Sequence, residues 1–277
     1  MRIGIFARTY SRPALGGVLD AIVDHGIRLV HFNLACAGLG SLPEALDREV
    51  CGSIRGAFAQ RNLEMIAVSG TFNAIHPDRG VREAMTRRCA ALIRQCRALG
   101  TDVVSLCTGT RDARDMWRSH PDNDSPGAWR DLRATLDVLL PVAQEEGVTL
   151  GVEPEVANVV SSAPRARRVL DEVRSENLKI ILDGANLFTG ADPRDMAEVL
   201  AEAVDLLGPD LVQVHAKDIS ATTVKKNQAA GEGRLDWETY FGLLHRTGFD
   251  GPVVLHNLSE AQVPASRAFV LNVLRAV

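Results

Sequence analysis

Four residues able to donate to a metal ion stand where short apolar runs end. Glu153 follows Leu150-Gly151-Val152, Asp183 follows Ile181-Leu182, His215 follows Val212-Gln213-Val214, and His256 follows Val254-Leu255. Ionisable groups closing apolar segments are costly to bury unless they are paired or metal-bound. Taken singly, each has an ordinary role: such a carboxylate caps a helix or meets a cation, and a lone histidine is a hydrogen-bonded structural residue. Four in succession at consecutive strand ends fit a shared divalent-metal site, with a carboxylate–imidazole ion-pair network as the other reading. Two carboxylates and two imidazoles suit Mn²⁺, Zn²⁺, Co²⁺ or Fe²⁺ better than Ca²⁺, which prefers an all-oxygen shell. Mn²⁺ is the first expectation, and Mg²⁺ completes the range.

To meet at one point, these residues need an architecture that gathers strand ends. Apolar runs rich in Val, Ile and Leu recur at 2–7, 28–32, 64–68, 102–107, 149–152, 179–182, 211–214 and 252–255. That is the pattern of parallel strands buried on both faces. Amphipathic stretches separate them: over 82–99, Met85, Cys89, Leu92, Ile93, Cys96 and Leu99 share a face, and 128–145 aligns Leu132, Leu136, Leu139 and Leu140. Gly26, Gly100, Gly147 and Gly248 stand where helices must close before a strand. Simple alternation of strand and helix predicts an α/β fold, a (β/α)8 barrel, as one domain over 1–277. An open sheet is the alternative, but Phe6-Ala7-Arg8-Thr9 after the first run carries no Gly-rich phosphate fingerprint.

The chain has 277 residues, 46% hydrophobic and 24% charged, with a formal net charge of −4. This balance argues against a nucleic-acid partner, which needs a concentrated basic footprint. No apolar run approaches the ~20 residues of a membrane span. Met1-Arg2-Ile3-Gly4-Ile5-Phe6 is too short for a signal-peptide core, and five scattered cysteines read as reduced thiols. A cytoplasmic protein is therefore expected.

In a barrel, the loops after strands surround the site. Lys217 shares the inward parity of His215 and could hold a carboxylate, phosphate or enolate oxygen, or pair with Asp218. Glu155 has the parity of Glu153. His76, Asn158, Trp117 and His120 lie in loops on the same side and are candidate substrate contacts. The long segment 108–127 also carries Arg111, Arg114 and Arg118, which could bind an anion or pair with Asp112 and Asp115. A second long segment, 219–235, holds Lys225, Lys226 and the Gly231-Glu232-Gly233 turn.

Several of these motifs together resemble the xylose isomerase-like TIM-barrel superfamily of sugar and sugar-phosphate isomerases and epimerases. Val152-Glu153-Pro154 is similar to the family's metal-binding glutamate, Leu182-Asp183 to its aspartate, and Val214-His215-Ala216-Lys217-Asp218 to its histidine with the basic and acidic pair. Gly231-Glu232-Gly233-Arg234-Leu235-Asp236-Trp237 and Phe249-Asp250-Gly251-Pro252 add to the resemblance. Two positions depart from it. His256 stands where the family usually has a second catalytic glutamate, and Asn186 stands where many members have a histidine.

The resemblance implies a metal-dependent isomerase or epimerase acting on a small carbohydrate or hydroxy-keto acid. Glu153 would move a proton next to the carbonyl, the metal would stabilise the enediolate, and Asn186 would join the substrate contacts. His256 puts a two-glutamate epimerisation in doubt, since it lowers the ligands' carboxylate count and could itself act as the acid. Lyase chemistry begins with the same proton abstraction. A hydrolase like the family's endonuclease branch is a second alternative, although only His76 is then available from the early strands. A non-catalytic ligand-sensing barrel is a third. Dimers or tetramers are common in the family, so a homo-oligomer is also implied.

Overall fold

In the computed structural model, which describes residues 1–188, 196–220 and 227–277, all eight apolar runs are parallel strands. They are β1 (Arg2–Phe6), β2 (Leu29–Phe32), β3 (Glu64–Ser69), β4 (Val103–Cys107), β5 (Thr149–Glu153), β6 (Leu178–Asp183), β7 (Leu211–Ile219) and β9 (Pro252–Leu255). Consecutive strands pair in parallel from β1 to β7, β7 pairs with β9, and β9 returns to β1, which closes the sheet into a barrel. The seventh strand runs five residues past the expected end. There it forms an antiparallel hairpin with β8 (Asn227–Ala229), which the apolar pattern did not announce. Lys225 and Lys226 lie outside the described residues.

Eight helices surround the strands among the described residues: α1 (Leu15–Asp24), α2 (Arg48–Ala59), α3 (Arg79–Leu99), α4 (Pro126–Glu146), α5 (Ala163–Val173), α6 (Met196–Leu207), α7 (Trp237–Arg246) and α8 (Val263–Ala276). The Asp78 and Ser125 side chains accept hydrogen bonds from Val81 N and Ala128 N and start α3 and α4, each cap contributing about 1 kcal/mol. The four expected closing glycines all take positive φ, from 64° to 88°. All five cysteines are free, and Cys89 and Cys96 are buried in the α3 face. No described helix is long and apolar enough to cross a membrane.

The main apolar core lies between strands and helices, with Ile5, Val30, Phe32, Leu150, Ile180, Leu182 and Val253 packed against helix residues such as Leu92, Leu136 and Phe241. Leu29, Ile181 and Val254 are buried apart from that layer. They share strand parity with His31, Asp183 and His256, so they fill the barrel interior beneath the site.

Candidate functional site

Strand register makes the ends level. Asp183 pairs with His215 across β6 and β7, Cys107 pairs with Glu153, and Leu255 is flanked by Ala216 and Ile5. Glu153, Asp183, His215 and Lys217 therefore project inward near one height, and His256 follows one residue after β9. The Asp183 Oδ1 atom accepts from Ala185 N at 3.0 Å and starts a short 3₁₀ turn, Gly184–Leu187. That turn carries Asn186 back over the barrel, where its Nδ2 donates to Glu153 Oε1 at 2.7 Å.

Asp183 Oδ2 is the centre of the group. Lys217 Nζ lies 3.0 Å from it, His215 Nδ1 3.5 Å and His256 Nδ1 3.9 Å. Donor atoms of Asp183, His215 and His256 all fall within 4.8 Å of one another, as a shared cation requires. Glu153 stands beside this triad, with Oε1 3.3 Å from His215 Nδ1. Lys217 also donates to Asn186 Oδ1. Neither Asp183 Oδ2 nor His256 Nδ1, both buried, has an aligned hydrogen-bond partner. An ion-pair network alone leaves that imidazole nitrogen unsatisfied, whereas a divalent cation would be held by it together with His215 and the Asp183 carboxylate. The donor set fits such an ion, with one carboxylate and two imidazoles matching the borderline metals.

The charges compensate one another. Burial pushes the Asp183 carboxyl up, but the Lys217 ammonium and the His215 ring outweigh it and hold the group well below the usual range. Glu153 is likewise raised by burial and, on balance, lowered by His215. Burial disfavours the His215 cation, yet Glu153 and Asp183 hold its pKa up at about 9. Burial dominates at His256 and lowers it. At Glu155 burial pushes the carboxyl up to about 7 against the opposing pull of Lys217. Two carboxylates, one ammonium and one imidazolium thus share a site that could not bury any of them alone.

Beneath this cluster lies a polar tier that the sequence reading missed. His31, from β2, accepts from or donates to Ser105 Oγ through Nε2 at 2.9 Å. Gln213 Nε2 sits 2.9 Å from His31 Nδ1 and 3.0 Å from His215 Nε2, while Gln213 Oε1 is buried without a partner. The Phe6 ring packs edge-on against both His31 and His256. A signal existed: His31 and Gln213 are polar residues at inward parity within apolar strands, and Gln213 precedes His215 by two. His31 also corrects the expectation that His76 is the available early-strand histidine.

The loop candidates are held by contacts within and between the loops. His76 bridges two loops, Nδ1 accepting from Asp78 N at 3.1 Å and Nε2 lying 3.2 Å from Ala113 O. His120 accepts from Asp122 N and caps a 3₁₀ turn, and Trp117 is 55% exposed. Asn158 is buried but braces the loops, accepting from Gly109 N and donating to Met116 O. Arg111 pairs with Asp131 at 2.7 Å and Arg118 with Asp112 at 3.0 Å. Glu155, half-buried, accepts from Ala157 N. Lys217 meets Asp183, whereas Asp218 turns the other way and accepts from Gly231 N, Leu235 N and Trp237 Nε1. Gly233 passes so close that a Cβ would collide with Ile219 O and this carboxylate.

Residues 19–271 match the family model described as xylose isomerase-like TIM barrel. No curated protein sequence matches the chain. Among solved structures, a D-tagatose 3-epimerase-like protein superposes with a TM-score of 0.79 at 16% identity, covering 100% of this chain and 98% of its own. An L-ribulose 3-epimerase gives 0.77 at 18% identity, covering 99% and 95%. The apo form of 3-keto-D-glucoside 4-epimerase from E. coli gives 0.73 at 19% identity, covering 100% of both chains. At these identities the likeness is one of fold.

Proposed function

The chain belongs to the xylose isomerase-like TIM barrel family, and from that premise we propose that it is a divalent-cation-dependent isomerase or epimerase of a small carbohydrate or hydroxy-keto acid. The observation that carries this reading is the convergence of Asp183 Oδ2 with the Nδ1 atoms of His215 and His256, beside the Glu153 carboxylate. The sugar epimerases among the superposed structures support it. Asp183, His215 and His256 would hold the ion, Mn²⁺ being the first to test, with Glu153 at its edge. When bound, a divalent cation supplies Lewis acidity toward a carbonyl.

The chain's own groups then divide the proton work. Glu153 removes a proton from the carbon next to the carbonyl. Its Oε1 is held by Asn186 and His215, which leaves Oε2 to face the substrate. Lys217 Nζ, buried and fixed by Asp183 and Asn186, places a positive charge where negative charge develops on substrate oxygen. Protonated Glu153 then returns the proton to the neighbouring carbon, and His256, 27% exposed at its side chain, offers its second ring nitrogen as a hydrogen-bond donor to a substrate oxygen. The hydrolase alternative draws no support from His31, because both of its ring nitrogens are engaged by Gln213 and Ser105.

The test is solvent-deuterium incorporation into ketoses and hydroxy-keto acids by protein loaded with Mn²⁺ and assayed for metal content. Exchange at the carbon beside the carbonyl is expected. A fully loaded protein that exchanges no proton in either class would end the isomerase reading.

Two further results are expected. Gln213→Leu removes the polar group beside His215 Nε2, so cation affinity should fall roughly 10- to 100-fold in chelator competition, with little change in far-UV circular dichroism. The second concerns pH. Because His215 is held protonated up to about 9, a cation must displace its proton, and affinity should rise about tenfold per pH unit below that value. Calorimetry in two buffers of different ionisation enthalpy reads the released proton directly; equal heats would contradict it. The sign for stability is opposite. A raised histidine pKa stabilises the cation-free fold fully below 6.5, and this contribution is lost as pH climbs through about 9.

A further inference from the structure

Beside His256 opens a cleft of about 580 Å³, walled by Phe6, Arg8, Gln228, Glu232, Asn257 and Gln262 among others. Its position follows from the barrel closure. Ile5 pairs with Leu255, so Phe6 and His256 emerge side by side, their rings edge-on at 5.2 Å. The 3₁₀ turn Ala7–Thr9 then sets Arg8 at the rim, and Asn257, with φ of 56°, turns the chain sharply after His256 along the opposite wall.

The polar groups of this cleft are unevenly committed. Around the mouth, Arg12 is paired with Glu260, Arg111 with Asp131 and Arg118 with Asp112. Arg8 is exposed and makes no ion pair or hydrogen bond with any described residue. The acid in the same cleft, Glu232, already accepts from Gln262 Nε2 at 2.6 Å. Gln228 Oε1 is buried without a partner. The cleft therefore presents a guanidinium that no described carboxylate contacts and an unused acceptor next to a proposed cation ligand, with one aromatic wall.

We propose that this cleft takes the end of the substrate remote from the reacting carbons, and that this end carries a carboxylate or phosphate bound by Arg8. Gln228 Oε1 accepts from a neighbouring hydroxyl. The substrate class is thus an acidic carbohydrate, a sugar acid or a sugar phosphate. The assignment rests on the isomerase reading only for which end of the molecule reacts. A guanidinium can meet either anion with two parallel hydrogen bonds, which gives geometric as well as electrostatic selection.

The test is calorimetric binding of D-fructose, D-fructose 6-phosphate and D-fructuronate to Mn²⁺-loaded protein, repeated on Arg8→Met and Arg8→Lys. Arg8 is exposed, so both variants should melt with the parent. At least one acid should bind roughly 10- to 100-fold more tightly than fructose, and Arg8→Met should abolish that advantage while leaving fructose unchanged. Preference for the phosphate, retained in part by lysine, would assign a sugar phosphate. Preference for the fructuronate, lost with lysine, would assign a sugar acid. Acids that bind no better than fructose, or an advantage that survives Arg8→Met, would overturn the proposal. Arg8-dependent binding without solvent-deuterium exchange would support the anion site and count against the isomerase reading alone.

Discussion

The Asp183→Ala variant should bind no divalent cation and lose on the order of 3–5 kcal/mol of stability. Asp183 is fully buried and serves three purposes at once. Its Oδ1 starts the turn that positions Asn186, and its Oδ2 faces Lys217 and both imidazoles. Removing it leaves the Lys217 ammonium, 2% exposed, without its nearest counter-charge. The double variant Asp183→Ala/Lys217→Met separates the two effects. It should regain much of the stability, since no buried charge is left unpaired, and still bind no cation. Urea unfolding of the cation-free proteins reads the first effect and elemental analysis the second. A single variant that retains its metal would remove Asp183 from the ligand set.

The second large effect is on turnover. Glu153→Gln keeps the shape of the side chain and an oxygen to accept from Asn186 Nδ2, but it removes the base. Solvent-proton exchange should fall by about 10²–10⁴-fold, the usual worth of a positioned general base. Because Glu153 stands beside the triad of Asp183, His215 and His256, the variant should remain loadable with metal. If affinity falls together with rate, Glu153 is a ligand as well. Exchange at the parental rate would move the base to another group, Glu155, two residues along the chain, being the carboxylate to test next.

The barrel was legible because its signals are local. Each strand advertises itself by a run of buried apolar residues, and each glycine closing a helix sits where only a left-handed residue ends the turn before the next strand. The inward parity of Lys217 relative to His215 was legible for the same reason, as strand residues two apart face one way. The hairpin of β7 and β8 was not, because Asn227, Gln228 and Ala229 lie inside the polar segment 219–235 and read as loop until their pairing with Ile219, Asp218 and Lys217 makes them a ladder. The loop residues His76, Trp117 and His120 illustrate a different limit. A histidine or tryptophan in a polar segment carries no mark of whether it faces the barrel axis or its own loop, and here the local backbone captures both histidines.

The sequence by itself determined which residues end the strands, and with them the fold and the ionisable side chains Glu153, Asp183, His215 and His256 that close them. Only the tertiary structure decided how these groups divide. It made Asp183 the shared centre, moved Glu153 to the side, and joined His31 to Gln213 across 182 positions of chain. The reason is physical: periodicity and parity are set by a few neighbouring residues, whereas a hydrogen bond or an orphaned acceptor depends on tenths of an ångström between segments that meet only when the barrel closes.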